Sequence, residues 1–155
     1  MNRTKSHEIY ARAKELMPGG VNSAARAFGG VGGEPIIIDR GEGAYLFDVD
    51  GNRYVDFCLS FGPHLFGHSH PRVVAALKAQ ADLATSYGAC HPDEVRLAER
   101  ILAAYPFLQK LRLVNSGTEA TSTAVRLARG FTGRDRIVIF RGNFHGAADA
   151  LLAAG

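Results

Sequence analysis

Two short apolar segments, with a helix-forming segment between them, constrain the fold of this chain more than any other feature. The segments "LRLVN" at 111–115 and "RIVIF" at 136–140 lack the polar–apolar alternation of a half-exposed strand, which is typical of strands buried on both faces. Residues 117–129 between them predict a helix that Gly130 ends. A strand, a helix and a strand at this spacing predict a right-handed crossover in a parallel sheet, and therefore an α/β fold.

The rest of the chain divides into two patterns. Amphipathic and β-rich stretches predict helices over 5–16, 72–84 and 93–104, and strands at Ile36–Ile38, Ala44–Val49 and Arg53–Phe57. The pair Asp50-Gly51 suits the tight turn between the last two strands. We therefore expect residues 1–70 to form an N-terminal segment with a helix, a Gly-rich loop and a β-hairpin. Residues 71–155 then begin a larger α/β domain.

The composition limits the class of protein. The 155 residues carry a formal net charge of +3 without a run of five basic residues, so no nucleic-acid surface is indicated. Cys58 and Cys90 form no C-x-x-C motif, which is typical of free thiols in a reducing compartment. Because we find neither an apolar run of 18 residues nor a signal peptide, we expect a cytoplasmic protein without a membrane span. The apolar end "HGAADALLAAG" predicts that the chain stops within a fold.

The turn after the first apolar segment allows two interpretations. Ser116 and Glu119 have the spacing of a capping box, in which both side chains bond backbone N–H groups at the start of a helix. The same turn also suits a phosphate, because Gly117 leaves the backbone accessible and Ser116 and Thr118 supply hydroxyl donors. A helix N-terminus at the carboxyl end of a parallel strand favours an anion as well. The two interpretations are not exclusive, and the residues alone leave both open.

The second apolar segment ends in a similar turn, "RGNFHG". If both strands end at the same edge of one sheet, Phe144 and His145 lie near the turn at Ser116. An aromatic ring beside a phosphate cradle predicts a planar, phosphorylated cofactor. In the alternative, Phe144 is a core residue and His145 only caps a loop.

Two motifs that resemble metal sites do not satisfy the requirements of one. The string "DVDGN" begins like a calcium loop, but position twelve counted from Asp48 is Leu59 and not glutamate. One Gly- and Pro-rich loop contains three histidines: His64, His68 and His70. They have no cysteine or carboxylate partner near them in sequence that could complete a metal site. We expect no metal at either place.

Four stretches together resemble class III, fold type I, pyridoxal phosphate enzymes. They are "PGGVNSAARAFGGVGGEPIIIDRGEGAYLFDVDGNRYVDF", "LSFGPHLFGHSHP", "VNSGTEAT" and "FHG". The resemblance covers nearly the whole sequence. It implies the pyridoxal phosphate-dependent transferase fold, with the hairpin-rich N-terminal segment and the first, incomplete part of a mainly parallel-sheet large domain.

The resemblance also implies a set of site residues. Ser116, Gly117 and Thr118 would bind the phosphate of pyridoxal 5′-phosphate. Phe144 would stack on its ring, with His145 adjacent. A second set of residues would face the substrate: Ser23, Arg26 and Phe61. Arg26 would hold a carboxylate of the substrate through its forked guanidinium.

The string "PGGVNS…RAF" is similar to that of the aminomutases in this family, which act in tetrapyrrole synthesis and use the pyridoxamine form of the cofactor within their cycle. The sequence departs from that pattern, because Phe144 replaces a tyrosine, Phe61 a tryptophan and Ala24-Ala25 the pair Pro-Val. These changes favour an alternative: an aminotransferase that moves an amino group between an amino acid or amine and a 2-oxo acid. A third interpretation is a non-catalytic remnant that binds a phosphate or a partner protein.

The four lysines do not fit the role of the cofactor-linked lysine of this family. They lie in predicted surface helices or at the start of a strand: Lys5, Lys14, Lys78 and Lys110. We therefore expect this sequence to be the N-terminal part of an enzyme that is inactive without the remainder. By the same resemblance, the complete enzyme is expected to be a homodimer.

Overall fold

The computed structural model describes residues 1–152 of the chain. They form two compact units, Met1–Ser86 and a second that begins at Tyr87. No helix among these residues is long and apolar enough to cross a membrane. The last three residues of the apolar C-terminal stretch lie outside the described part of the chain.

The first unit contains two helices and a small sheet. Helix α1 spans Thr4–Leu16 and helix α2 spans Pro71–Ala81, close to the ranges that the sequence predicts. The three strands are antiparallel in the order β1-β2-β3, and they span Ile38–Glu42, Tyr45–Asp48 and Arg53–Val55. The prediction placed β1 too early, at Ile36–Ile38, because the apolar run marks only its beginning. The pairing with β2 continues through the polar residues as far as Glu42, which lies opposite Tyr45.

The turn between β2 and β3 is organised by Asp48. This side chain is 3% exposed, and its carboxylate accepts hydrogen bonds from the backbone N–H of Asp50 and Asn52 and from the side chains of Asn52 and Tyr54, over 2.8–3.0 Å. Burial raises the pKa of Asp48, but these hydrogen bonds outweigh burial, and the pKa lies below its ordinary value. Asp48 therefore holds the turn between β2 and β3 through these four hydrogen bonds.

Asp50 joins the same turn to the start of α1. Its carboxylate accepts from the backbone N–H groups of Lys5 and Ser6 and from the Ser6 hydroxyl, at 2.8, 2.9 and 2.6 Å. These N–H groups belong to the first turn of the helix, where no intrahelical acceptor exists. Arg3, at the N-cap position, makes no side-chain cap. An aspartate from the hairpin therefore takes the place of the missing capping residue.

This contact predicts that α1 loosens in acid. Burial raises the pKa of Asp50, but the bonds from Ser6 and Lys5 outweigh it and lower the pKa. A carboxyl whose pKa is lower in the folded state stabilises the fold above its unfolded pKa, and that contribution is lost as the pH falls below about 4. We expect hydrogen exchange in α1 to accelerate in this range after correction for its intrinsic pH dependence. In Asp50→Asn, exchange should already be fast at neutral pH and change less with acid; an equally steep acid response in that variant would contradict the assignment.

Among its described residues the second unit contains two helices, α3 at Pro92–Ala104 and α4 at Gly117–Thr132. Both confirm the sequence prediction, except that α4 continues through Gly130 and ends at Gly133, which adopts the left-handed conformation with φ 66°. Gly130 is thus not the C-terminal cap. Glycine is tolerated inside a helix at a cost of about 1 kcal/mol relative to alanine, so Gly130 alone does not end α4.

The predicted parallel strands are not paired in the described residues. Segments 111–115 and 136–140 flank α4 as predicted, but neither belongs to a strand ladder, and the antiparallel sheet of the first unit is the one sheet in residues 1–152. Strands that follow one another in the sequence need not lie side by side in a parallel sheet. Each segment would then pair with some other strand, and none of the described residues forms that strand. Several of their apolar side chains are exposed, among them Val138 and Phe140.

Candidate functional site

The turn before α4 is a capped helix start. Ser116 is the N-cap, with extended backbone angles, and its Oγ accepts from the backbone N–H of Glu119 at 3.2 Å. The Glu119 carboxylate accepts from the N–H of Asn115 at 2.6 Å. The expected capping arrangement is therefore present, although Glu119 reaches the residue before the N-cap.

The capped turn leaves space for an anion. An added Cβ at Gly117 would meet no atom within 4 Å, so the space beside this residue at the start of α4 is open. Those N–H groups lie at the positive end of the helix dipole, which stabilises an anion by roughly 0.3–2 kcal/mol. Ser116 can still donate its hydroxyl proton, because its oxygen is engaged only as an acceptor in the cap. The residues present therefore fit a phosphate group.

The loop that follows residue 140 lies against this turn. A backbone turn closes between Phe140 and Asn143, where the N–H of Asn143 donates to the Phe140 carbonyl at 3.3 Å. Further along, the N–H of Ala147 donates to Thr118 Oγ1 at 3.1 Å. The structure thus brings this loop to the start of α4, while the roles of the individual residues remain predictions.

The two aromatic residues of the loop differ in exposure. The Phe144 ring is 86% exposed, so it is not a core residue of the described structure and its face is free to receive a planar group. The His145 ring is half-buried, and its Nε2 lies 3.3 Å from the Phe140 carbonyl oxygen. Since a carbonyl only accepts, this contact requires a proton on Nε2. His145 therefore stabilises the loop that carries Phe144.

The three residues predicted to face a substrate all belong to the first unit. The carbonyl of Ser23 accepts from the N–H of Arg26 at 2.9 Å, which closes a short helical turn at Ala24–Ala27. Arg26 is exposed and Phe61 is 80% exposed.

Phe61 lies in a strained turn that the sequence does not reveal. Leu59, Ser60 and Phe61 all have left-handed backbone angles, with φ of 49°, 53° and 63°. Non-glycine residues rarely adopt this region, and each costs roughly 1–3 kcal/mol, which surrounding contacts must offset. Such strain is concentrated at functional sites, so the geometry supports a functional role for this turn.

Asp56 and His68 hold the strained turn. The Asp56 carboxylate accepts from the N–H groups of Cys58 and Leu59 at 2.8 and 3.1 Å, and its other oxygen lies 2.7 Å from His68 Nε2. The two side chains are 5% and 13% exposed. The His68 hydrogen bond is the main reason why the pKa of Asp56 lies below its ordinary value; burial opposes it.

The expectation that His68 lacks a carboxylate partner is wrong. His68 has a carboxylate partner, Asp56, twelve residues earlier in the chain, which β3 and the following loop bring back to it. No group of three histidine, cysteine or acidic side chains that could hold a metal ion occurs in the described part of the chain.

We expect the Asp56–His68 pair to control the order of this turn. In the full-length protein, Asp56→Ala should raise hydrogen exchange across residues 57–64 at least about tenfold, because it removes the acceptor of two backbone N–H groups. Glu42→Gln is the matched control, since it breaks an ion pair with Arg40 that is exposed on both sides and should change exchange little. Equal exchange in the two variants would contradict this role for Asp56.

Comparison with known proteins shows the family. The profile described as Aminotransferase class-III matches residues 29–155. The chain belongs to the class III aminotransferase family. It is 57% identical over 150 residues to the glutamate-1-semialdehyde 2,1-aminomutase of Rhodopirellula baltica, an alignment that covers 97% of this chain and 34% of that protein. The chain thus spans about a third of the length of such relatives.

Solved structures of the family resemble the chain closely. A transaminase with pyridoxal phosphate bound has a TM-score of 0.89 at 39% identity and covers 97% of this chain and 35% of its own. A glutamate-1-semialdehyde aminomutase from Pseudomonas aeruginosa has a TM-score of 0.83 at 27% identity and covers 94% of this chain and 32% of its own. These neighbours confirm the expected fold class, and this chain corresponds to one part of that fold.

Proposed function

We propose that the full-length protein is a glutamate-1-semialdehyde 2,1-aminomutase, which converts glutamate 1-semialdehyde to 5-aminolevulinate in porphyrin biosynthesis. The observation that carries the proposal is the 57% identity to a protein of that name across 97% of this chain. The net change moves an amino group from C2 to C1 of the substrate.

The proposed cofactor is pyridoxal 5′-phosphate, with the pyridoxamine form within the cycle. When bound, it supplies the electron sink for amino transfer, and the protein supplies binding and orientation. We assign the phosphate to Ser116, Gly117 and Thr118, since the open space before α4 and the hydroxyl donors support this assignment. Phe144 presents an exposed aromatic face for the ring, and His145 holds the loop that carries it.

The first unit is proposed to supply the substrate contacts. An exposed arginine is suited to a carboxylate, so Arg26 would hold the carboxylate of the substrate through two parallel N–H donors. Ser23 lies at the start of the same short turn, and Phe61 presents its ring from the strained turn that Asp56 holds.

We infer that residues 1–155 do not carry the whole reaction by themselves. Lys5 and Lys14 lie in α1 and Lys78 lies in α2, while Lys110 precedes segment 111–115 and so lies at the end of that segment away from Ser116. All four lysines are exposed, and none of them is proposed as the amine that links to the cofactor. That group is therefore proposed to come from the part of the enzyme that this chain does not include.

An aminotransferase activity is the second candidate. It is favoured because the solved transaminase is more similar to this chain than the solved aminomutase in both identity, 39% against 27%, and TM-score, 0.89 against 0.83. Phenylalanine at Phe144 and Phe61, in place of the tyrosine and tryptophan expected for an aminomutase, agrees with this candidate.

We also propose that the enzyme is a cytoplasmic homodimer. Cys58 and Cys90 are both free and exposed, which supports a reducing compartment. The many exposed apolar side chains, among them Phe57 and Phe66 in the first unit and Phe131 in the second, support burial by further protein surface.

The two activities are separated by supplying or withholding an external amino donor. The full-length protein, loaded with the pyridoxamine form of the cofactor, is mixed with glutamate 1-semialdehyde alone. An aminomutase forms 5-aminolevulinate over many turnovers without any other amino donor or acceptor. An aminotransferase stops after one equivalent, because its cofactor has given up the amino group, and resumes only when an amino donor, an amino acid or amine, is added; that outcome would replace the aminomutase proposal with the second candidate.

A further inference from the structure

The loop that carries Phe144 is fixed to α4 through Thr118. Besides the bond from Ala147 N–H to Thr118 Oγ1 at 3.1 Å, the backbone of Gly146 packs directly against the helix. An added Cβ at Gly146 would lie 3.1 Å from Thr118 Cα, 3.2 Å from Thr118 Oγ1 and 2.9 Å from Thr121 Oγ1. Gly146 is buried and has φ 94°. A residue with a side chain would therefore both strain the backbone and separate the loop from α4.

The Thr118 hydroxyl can make contacts in two directions. Its oxygen accepts from Ala147, and a hydroxyl that accepts one hydrogen bond can still donate its proton to another group. The Thr118 carbonyl is occupied separately, by the hydroxyls of Thr121 and Ser122 at 3.1 and 2.7 Å. The hydroxyl proton therefore remains to donate to an anion at the start of α4.

We propose that Gly146 and Ala147 are positioning residues that couple occupancy of the phosphate position to the placement of Phe144, with Thr118 as the link. The inference rests on the proposed cofactor phosphate at Ser116–Thr118. When the Thr118 hydroxyl donates to an anionic oxygen, its own oxygen becomes a stronger acceptor for Ala147 N–H, because hydrogen bonds in a chain polarise one another. Phosphate binding thus strengthens the contact that holds the Phe144 loop on α4, and the docked loop orients the hydroxyl towards the phosphate.

The test measures hydrogen exchange of the peptide covering 143–149 in the full-length protein, with inorganic phosphate, pyridoxal 5′-phosphate and pyridoxal as probes. In the wild type, both phosphate-containing probes should slow exchange by roughly 2- to 10-fold, in line with one added hydrogen bond. Pyridoxal alone should slow it less. Thr118→Ser keeps the hydroxyl and should retain this protection, whereas Thr118→Val keeps the shape and should lose it. Retained protection in Thr118→Val would overturn the proposal.

Two glycine variants separate crowding from backbone strain. Gly142 has φ 79°, close to that of Gly146, but an added Cβ there would meet no atom within 4 Å. Gly146→Ala should therefore speed exchange of the loop, change the circular dichroism band of the bound cofactor and lower kcat more than it raises KM. Gly142→Ala should leave the cofactor band unchanged, and equal behaviour of the two variants would overturn the role of Gly146.

Failure of this inference is distinguishable from failure of the proposed function. A wild-type protein that binds pyridoxal 5′-phosphate and forms 5-aminolevulinate, but shows no phosphate-dependent protection of residues 143–149, would overturn the coupling alone. A wild-type protein that binds neither phosphate nor the cofactor would overturn both.

Discussion

Replacing Ser116 with aspartate in the full-length protein is expected to weaken binding of pyridoxal 5′-phosphate by about 100-fold or more while α4 stays folded. Aspartate caps a helix as well as serine does, so the hydrogen bond that Ser116 Oγ receives from Glu119 N–H is kept. The added negative charge would lie beside the phosphate, and two like charges about 4 Å apart near a protein surface repel by up to about 4 kcal/mol. The measurement is a titration with the cofactor followed by absorbance.

The controls for this prediction separate capping from charge. Ser116→Asn also caps the helix but adds no charge, so its affinity should fall far less than that of Ser116→Asp. Pyridoxal, which has no phosphate, should bind Ser116→Asp and Ser116→Asn about equally. If Ser116→Asp binds the phosphorylated cofactor as well as Ser116→Asn does, Ser116 is only a cap and the phosphate lies elsewhere.

Asp48→Ala is expected to have the largest effect on stability, with a fall in Tm of roughly 10 °C for the transition that unfolds the first unit. The substitution removes the acceptor of four hydrogen bonds from Asp50, Asn52 and Tyr54. The backbone N–H groups of Asp50 and Asn52 and the Tyr54 hydroxyl lose this acceptor in a part-buried turn, while Asn52 Nδ2 keeps its bond to the Asn2 carbonyl at 2.7 Å. The hairpin turn that also supplies Asp50 to α1 should loosen with it, so hydrogen exchange in α1 should rise in parallel.

Asp48→Asn tests whether the carboxylate is needed or only an acceptor. The amide keeps one oxygen for the backbone N–H groups of Asp50 and Asn52, but its NH₂ group would face the side-chain donors of Asn52 and Tyr54. We expect a Tm between those of the wild type and Asp48→Ala. An unchanged Tm in Asp48→Ala would show that the turn is held by other contacts.

The helices were predictable because their signals are local. Apolar periodicity and the residues at the ends predict α1, α3 and α4 to within a few residues, and the Ser116 cap follows from a spacing of three residues. The end of α4 was predicted wrongly, because Gly130 and Gly133 are both glycines and the sequence does not show which of them ends the helix. Only Gly133 adopts the left-handed conformation that ends the helix.

The contacts that shape the first unit were not predictable, because they join distant parts of the chain. Asp50 caps α1 across 44 residues, and His68 meets Asp56 across 12; neither contact leaves a spacing signal. The left-handed turn at Leu59–Phe61 contains none of the glycines that usually mark such angles. Likewise, the apolar runs at 111–115 and 136–140 predict burial but do not specify which strand lies beside each of them.

For the site, the sequence predicted that the Phe144 loop and the Ser116 turn would lie together, from the single idea that parallel strands end at one edge. The structure brings the two together through Thr118, Gly146 and Ala147, although no strand ladder connects the segments. Spacing could not identify Gly146 as the contact residue, since its role depends on the side chains of α4 that it approaches.

The most direct test of the proposed phosphate position is a crystal structure of the full-length protein grown with pyridoxal 5′-phosphate. We expect the phosphate within hydrogen-bond distance of Ser116, Gly117 and Thr118, and the cofactor ring against Phe144. A cofactor phosphate bound away from the start of α4, with Ser116 and Glu119 capping the helix alone, would contradict it.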